Sequence, residues 1–428
     1  MRVRTAVCAA AVVLVGTLSV ARGESSVDAT PTTTLPQARA PTARSIHAGG
    51  YMGVYDKNGP TVAAWPAKLD VIQGSADAQG PLVAAAKQAA TTAGNGDAKF
   101  VFYVSLTSLD TKCACPDSRF YETFAGAHPE WVLREPTGRA VSTFVPQLGA
   151  GRQLAVDVGN SAFVAAIADW ALAAMDRYGW DGVFADNVTR GTFFGWSATP
   201  INPRTQVAYT TAEYRADVLA ALRQLRERFD AKGKMLIGNH AGAWEAETFA
   251  DPVIQQQVVA MHGVRVEPCV FDYDGRPQSE PRWIAQLAYL AFANQHGVLT
   301  QCQGIHGTIE DPATRDYVLA TALLTARGRS GIAELNDVTA WWPTLELDLG
   351  APRGELACLD PRAGLRLATT CPSPGTLYAR EWENGRVLVN PGATATITVP
   401  LGATFLLDGA PVTTVTMRPH SGAVLVRP

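Results

Sequence analysis

The segment YGWDGVFADNV, Tyr178 to Val188, sets two aspartates at the ends of a short apolar run. A run of this length, bounded by glycine and polar residues, reads as a strand buried on both faces, the kind found in parallel sheets. Asp181 opens the strand, where a carboxylate caps or forms an ion pair. Asp186, with Asn187 beside it, stands at the strand's tip, where it either is satisfied structurally or faces a pocket. The second reading needs more strands of the same kind and a second carboxylate.

The flanking sequence supplies the strands. Upstream are GGYMGVY (Gly49 to Tyr55), DVIQGS (Asp70 to Ser75) and KFVFYVSL (Lys99 to Leu106), with the helical PLVAAAKQAATTAG between the last two. A long excursion containing HPEWVL follows, and QLAVDVGN leads into SAFVAAIADWALAAMDRY, a helix with an Asn–Ser start. Downstream, TAEYRADVLAALRQLRERFDAKGK has helical spacing and KMLIGNH (Lys234 to His240) is the next strand. VVAMHGVRVEP, GVLTQCQG and RSGIAEL complete eight, with helices starting near Pro281 and Pro312. Eight strands with mostly helical connections predict an α/β fold, a (β/α)8 TIM barrel, over 46–347. An open doubly wound sheet is the competing fold, but no glycine-rich phosphate turn follows the first strand. From Asp348 the helical period stops, and short alternating strands separated by Asn-Gly, Pro-Gly and Asp-Gly turns predict a small antiparallel β-sandwich over 348–428.

Bulk composition narrows the function. Of 428 residues, 47% are hydrophobic and 18% charged, a core-rich globular balance. The net charge of −3 offers no polyelectrolyte attraction to nucleic acid or an anionic membrane. Residues 1–23 run basic, apolar, then small, the pattern of a secretory signal peptide, and the apolar run is shorter than the roughly 20 residues a spanning helix needs. Residues 24–45, rich in Thr and Pro, read as a flexible linker. No later segment is long and apolar enough to span a membrane. The expectation is a secreted or extracytoplasmic protein. Six cysteines then remain, Cys113, Cys115, Cys269, Cys302, Cys358 and Cys371, and an even number in an oxidising compartment predicts disulfides. Cys358 and Cys371 would close a local loop, and Cys269 and Cys302 would be neighbours on adjacent strands. The pairing stays open. The Cys113–Cys115 spacing lacks the partners of a zinc site, and no metal or cofactor is expected.

In such a barrel the reactive groups project from the C-terminal ends of the strands. Reading those ends gives Tyr55, Gln73, Ser105, Asp186 with Asn187, Asn239 with His240, Glu267, Gln301 with Gln303, and Glu334. Asp157, just before a helix, either caps it or reaches the pocket. Trp131, Trp244, Trp341 and Trp342 lie in the surrounding loops, where they serve either for sugar stacking or as glue between domains. His240 reads as a hydrogen-bonded pocket residue, since no second His or Cys stands at ligand spacing. Asp186 and Glu267, on the fourth and sixth strands, would face each other across the mouth. A carboxylate pair of this kind suits glycoside hydrolysis, one member as nucleophile or base and the other as acid. The polar tip around Asp186 suits the first role, and the less polar setting of Glu267 suits the second.

The motif WDGVFADN, preceded by the helix end RYG and the lead-in DVGN, resembles bacterial (β/α)8-barrel glycoside hydrolases, among them hypothetical glycosyl hydrolase family fifteen. The tail ENGRVLVNP…LDGAPVTTVTMRPHSGAVL is similar to the β-sandwich that follows the barrel in many glycosidases. The resemblance, over roughly residues 46 to 428, implies a carbohydrate substrate, with Asp186 as the strand-four carboxylate and Glu267 as the strand-six one. The alternative is a non-catalytic carbohydrate-binding protein on the same scaffold. The sugar, the linkage and the oligomeric state are not specified by the sequence.

Overall fold

The computed structural model describes residues 46–51, 69–110, 122–143, 153–188, 196–240, 242–304, 311–328, 330–334, 342–360, 366–367 and 375–428. The signal peptide and linker, Tyr55, Trp341 and cysteines 113, 115 and 371 lie outside them.

Eight parallel strands close into a barrel. They are β1 (Ala48–Tyr51), β2 (Val71–Gly74), β3 (Lys99–Ser105), β7 (Gly182–Asp186), β8 (Met235–Asn239), β9 (Gly263–Val266), β10 (Leu299–Gln303) and β11 (Ile332–Glu334). Each pairs with its sequential neighbour in the barrel, and β1 pairs with β11 to complete the circle. Between β3 and β7 the excursion forms a separate antiparallel sheet of β4 (Ser108–Asp110), β5 (Ser142–Thr143) and β6 (Gln153–Ala155). Helices on the outside include α1 (Gly80–Thr92), α2 (Ser161–Tyr178), α3 (Thr211–Asp230), α4 (Pro252–Val259), α5 (Glu280–Gln295) and α6 (Pro312–Thr325).

Local chemistry explains how β7 is delivered. The Asn160 side chain accepts from the N–H groups of Ala162 and Phe163 to start α2, and Gly179 ends it in the left-handed region at φ 80°. Asp181 then accepts from the Phe100 N–H at 2.9 Å and from the Lys87 ammonium at 2.6 Å. Its backbone bonds to both Phe100 and Met235, so the first aspartate of the motif pins β7 between β3 and β8. Gly182 has no substitute here, because a Cβ would sit 2.3 Å from the Met235 carbonyl oxygen. Inside the barrel, Val71, Val101, Phe184, Ile237 and Ile332 form an apolar layer. With period-two alternation, Asp186 and Asn239 lie one layer above Phe184 and Ile237.

The C-terminal domain comprises β12 (Pro352–Asp360), β13 (Arg366–Leu367), β14 (Leu377–Trp382), β15 (Gly385–Asn390), β16 (Ile397–Leu407), β17 (Ala410–Met417) and β18 (Ser421–Val426). Hydrogen bonding runs continuously through all seven, so one antiparallel sheet encloses the core expected of a sandwich. Leu377, Leu388, Phe405, Met417 and Leu425 share that core. The opposite face, with Tyr378, Trp382, Val387 and Val424, joins the main core of the barrel and lies against α6. There the buried Arg380 guanidinium donates to the carbonyls of Leu323, Leu324 and Ala326 at 3.4, 3.2 and 2.6 Å, capping the C-terminal end of α6 from the other domain.

Candidate active site

Asp186 and Glu267 meet at the barrel mouth through a single amide. The Asn239 Nδ2 donates to Asp186 Oδ1 at 2.9 Å and to Glu267 Oε2 at 2.7 Å. The reversed amide would set its oxygen against two carboxylates, so the orientation follows from the contacts. The two carboxylate oxygens that share the amide are no further apart than the two bonds laid end to end, 2.9 plus 2.7 Å. Asp186 also accepts from the Asn187 N–H at 2.8 Å and from the Tyr103 hydroxyl, at 2.9 Å on Oδ2. Tyr103 keeps its proton: burial, then the charge and hydrogen bond of Asp186, then the charge of Glu267, hold its pKa well above the ordinary value of 10.0.

Asn187 is left-handed, φ 57°, a conformation asparagine tolerates better than most residues. Its amide donates to Ser105 Oγ at 3.2 Å, and its carbonyl accepts from Thr107. The Val188 N–H donates to the Asn239 carbonyl at 3.1 Å, which ties the tips of β7 and β8 together. The segment after Glu267 is equally fixed. Cys269 forms a disulfide with Cys302 of β10, with Cα atoms 5.2 Å apart. The Pro268 carbonyl accepts from the buried amides of Gln286 at 2.8 Å and Gln278 at 3.3 Å. Cys358 is disulfide-bonded too.

Other residues expected at the mouth have varied placements. Gln303 is buried on β10, and its carbonyl accepts from the Cys269 N–H at 2.9 Å. Gln301 is fully buried one layer below, level in register with Arg265, whose guanidinium bonds to Gln73 at 2.7 Å and stacks 3.8 Å from the Phe184 ring centroid. The Glu334 backbone pairs with Gly49 and Gln303. Asp157 is not brought to the mouth: it accepts from Arg204 at 3.2 Å and from the Tyr209 hydroxyl at 3.2 Å, anchoring the excursion. His240 faces away from the barrel axis because Asn239 faces in. It bonds to Gln257 at 2.7 Å and Tyr289 at 3.1 Å, and burial pushes its pKa down to about 4. Trp244 is buried beneath the Arg282 guanidinium, 4.8 Å from its ring centroid, and Trp131 and Trp342 are buried as well. Tyr103 was not singled out by the strand-end reading. The signal for it was period two, since it lies two residues before Ser105 on the same face. Among the described residues no group of His, Cys, Asp or Glu is arranged to hold a metal ion, and no helix is long and apolar enough to cross a membrane.

An eight-stranded parallel barrel with two carboxylates joined at its C-terminal mouth has the build of a glycoside hydrolase. The chain belongs to hypothetical glycosyl hydrolase family 15, whose profile matches residues 94–386. Among solved structures it is similar to the glycoside hydrolase domain of PelA from Pseudomonas aeruginosa, at 14% identity and a TM-score of 0.40, covering 71% of this chain and 97% of that one. It is also similar to the Nostoc punctiforme debranching enzyme, at 12% identity and a TM-score of 0.45, covering 91% and 100%. The α-amylase of Geobacillus thermoleovorans aligns at 9% identity and a TM-score of 0.47, covering 90% and 99%. At these scores none of the three bears on mechanism. A comparison with curated proteins finds no match.

Proposed function

We propose that the protein is an exported glycoside hydrolase that cleaves an oligo- or polysaccharide with retention of anomeric configuration, Asp186 serving as nucleophile and Glu267 as acid and base. The observation that carries this reading is the Asn239 amide held between both carboxylates. It holds one oxygen of each no further apart than its two hydrogen bonds laid end to end, which favours the carboxylate spacing of about 5–5.5 Å that suits retention over the roughly 6.5–9.5 Å that leaves room for water in inversion. In the first step an Asp186 oxygen bonds to the anomeric carbon as the glycosidic C–O bond breaks, and Glu267 gives its proton to the departing oxygen. In the second, Glu267 takes a proton from water, whose oxygen bonds to the same carbon and releases the Asp186 ester. Tyr103, Asn187 and Asn239 fix the attacking carboxylate throughout. Export is supported by the signal-like first 23 residues and fits the buried Cys269–Cys302 disulfide.

The test is hydrolysis of a polysaccharide panel by the mature chain and by Asp186→Asn and Glu267→Gln. Each substitution should lower turnover by about a hundred- to ten-thousandfold or more, as removal of a nucleophile or acid does, with polysaccharide binding kept. A wild-type chain that binds a polysaccharide and never cleaves it would instead establish a carbohydrate-binding protein. An intact Met1 in the culture supernatant, read by mass spectrometry, would overturn cleavage of a signal peptide after residue 23, and absence of the chain from the supernatant would overturn export.

A further inference from the structure

Trp131, Trp244 and Trp342 are buried, yet among the described residues one aromatic beside the barrel mouth stands well exposed. Tyr273, in the segment joining β9 to α5, is 70% exposed, the highest of the exposed large hydrophobic residues among those described. Its hydroxyl reaches within 3.5 Å of the Glu267 carbonyl oxygen. The exposure is not looseness. Tyr273 occupies a turn in which the Gly275 N–H donates to the Asp272 carbonyl and the Asp272 N–H donates to the Arg276 carbonyl, both at 2.8 Å. Arg282 bonds to the Asp272 carboxylate at 2.5 Å, and Gln278 donates to the Phe271 carbonyl at 2.8 Å. Phe271 itself is buried with its ring 5.8 Å from that of Tyr317. The turn is therefore a rigid mount, and it holds an exposed aromatic side chain with its hydroxyl at the backbone of Glu267, which carries one carboxylate of the pair.

We propose that Tyr273 is the stacking platform for the sugar on the leaving-group side of the scissile bond, an inference that rests on Glu267 being the acid. The acid has to reach the departing glycosidic oxygen, and that oxygen belongs to the sugar seated next to it. An aromatic ring offers the apolar C–H face of a pyranose a large contact area at little entropic cost, because it is already ordered. The platform therefore recognises a second sugar unit, and the substrate is an oligosaccharide or polysaccharide rather than a monosaccharide carrying a small leaving group.

The experiment uses the full mature chain with Asp186→Asn, alone and combined with Tyr273→Ala, Tyr273→Phe or Tyr273→Trp. Retardation is measured by affinity electrophoresis in soluble starch, hydroxyethyl cellulose, xylan and glycol chitin. On the polysaccharide that retards the parent, Tyr273→Ala should weaken binding about five- to tenfold, while Phe and Trp retain it. In the catalytically intact chain Tyr273→Ala should raise KM for the matching oligosaccharide by a similar factor. Turnover of the corresponding glycosyl fluoride, which brings no second sugar, should be unchanged. A melting temperature equal to that of the parent would confirm that only the surface was altered. If the parent binds and Tyr273→Ala binds equally well, the platform is wrong while the glycosidase reading stands. If none of the four polysaccharides retards the parent, that reading falls and the platform with it.

Discussion

Replacing Asn239 by alanine should disable the site while leaving the fold intact. The amide makes two hydrogen bonds to carboxylates, at 2.9 and 2.7 Å, from a residue only 6% exposed. Hydrogen bonds to charged groups contribute about 1.5–3 kcal/mol each. Asp186 would keep Tyr103 and the Asn187 N–H, so its loss is partial, whereas Glu267 loses the bond that aligns it with Asp186. If about 3–4 kcal/mol of that alignment is expressed in the transition state, kcat falls by roughly 10²–10³. KM should change little, because the amide touches the reacting groups rather than the body of a sugar. The assay is initial-rate hydrolysis on the best polysaccharide, with circular dichroism and a thermal melt to confirm folding. A kcat within about threefold of wild type in a folded variant would mean the amide does not align the pair, and the reasoning would be refuted.

Tyr103→Phe removes one donor to Asp186 and should lower kcat by about ten- to a hundredfold with the melt unchanged; an unaltered kcat would exclude Tyr103 from the machinery. His240 is neutral in the fold, its pKa at about 4 against the ordinary 6.5, so the unfolded chain takes up a proton first as pH falls. Its share of stability, about 3 kcal/mol, is present above pH 6.5 and is lost progressively between about 6.5 and 4. Chemical denaturation of His240→Gln across that window should show a flatter pH dependence than wild type, and parallel curves would count against the assignment. Arg380→Met removes the cap that the C-terminal sheet places on α6 and should cost about 2–3 kcal/mol of stability. A denaturation midpoint equal to wild type would show that this contact does not hold the two domains together.

The barrel was legible because its strands are short apolar runs that no exposed element would carry, and most of them end in or beside a polar residue. DGVFAD illustrates this: Asp181 binds Lys87 and the Phe100 N–H at the base, and Asp186 faces the mouth. The pairing of Asp186 with Glu267 followed from counting strands, while the place of Asn239 between them, on the strand that separates β7 from β9, was not read from the sequence. What sequence could not convey was which of two neighbouring polar residues points inward. Asn239 and His240 end the same strand, and a one-residue difference sends His240 into the packing around α4 and α5. Asp157 was ambiguous for another reason, because its partners Arg204 and Tyr209 come from a distant loop with no periodic signal. Tyr103 looked like an ordinary aromatic of a buried strand, and only its level in the barrel separates it from the core residues beneath it.

The most direct measurement is the anomeric configuration of the first product formed, followed by proton NMR during hydrolysis of the best polysaccharide by the wild-type chain. If the proposed double displacement on Asp186 holds, the new reducing end appears first in the configuration of the bond that was cleaved, with the other anomer growing in only by mutarotation. Initial appearance of the opposite anomer would mean that water attacks directly, and Asp186 could not then be the nucleophile.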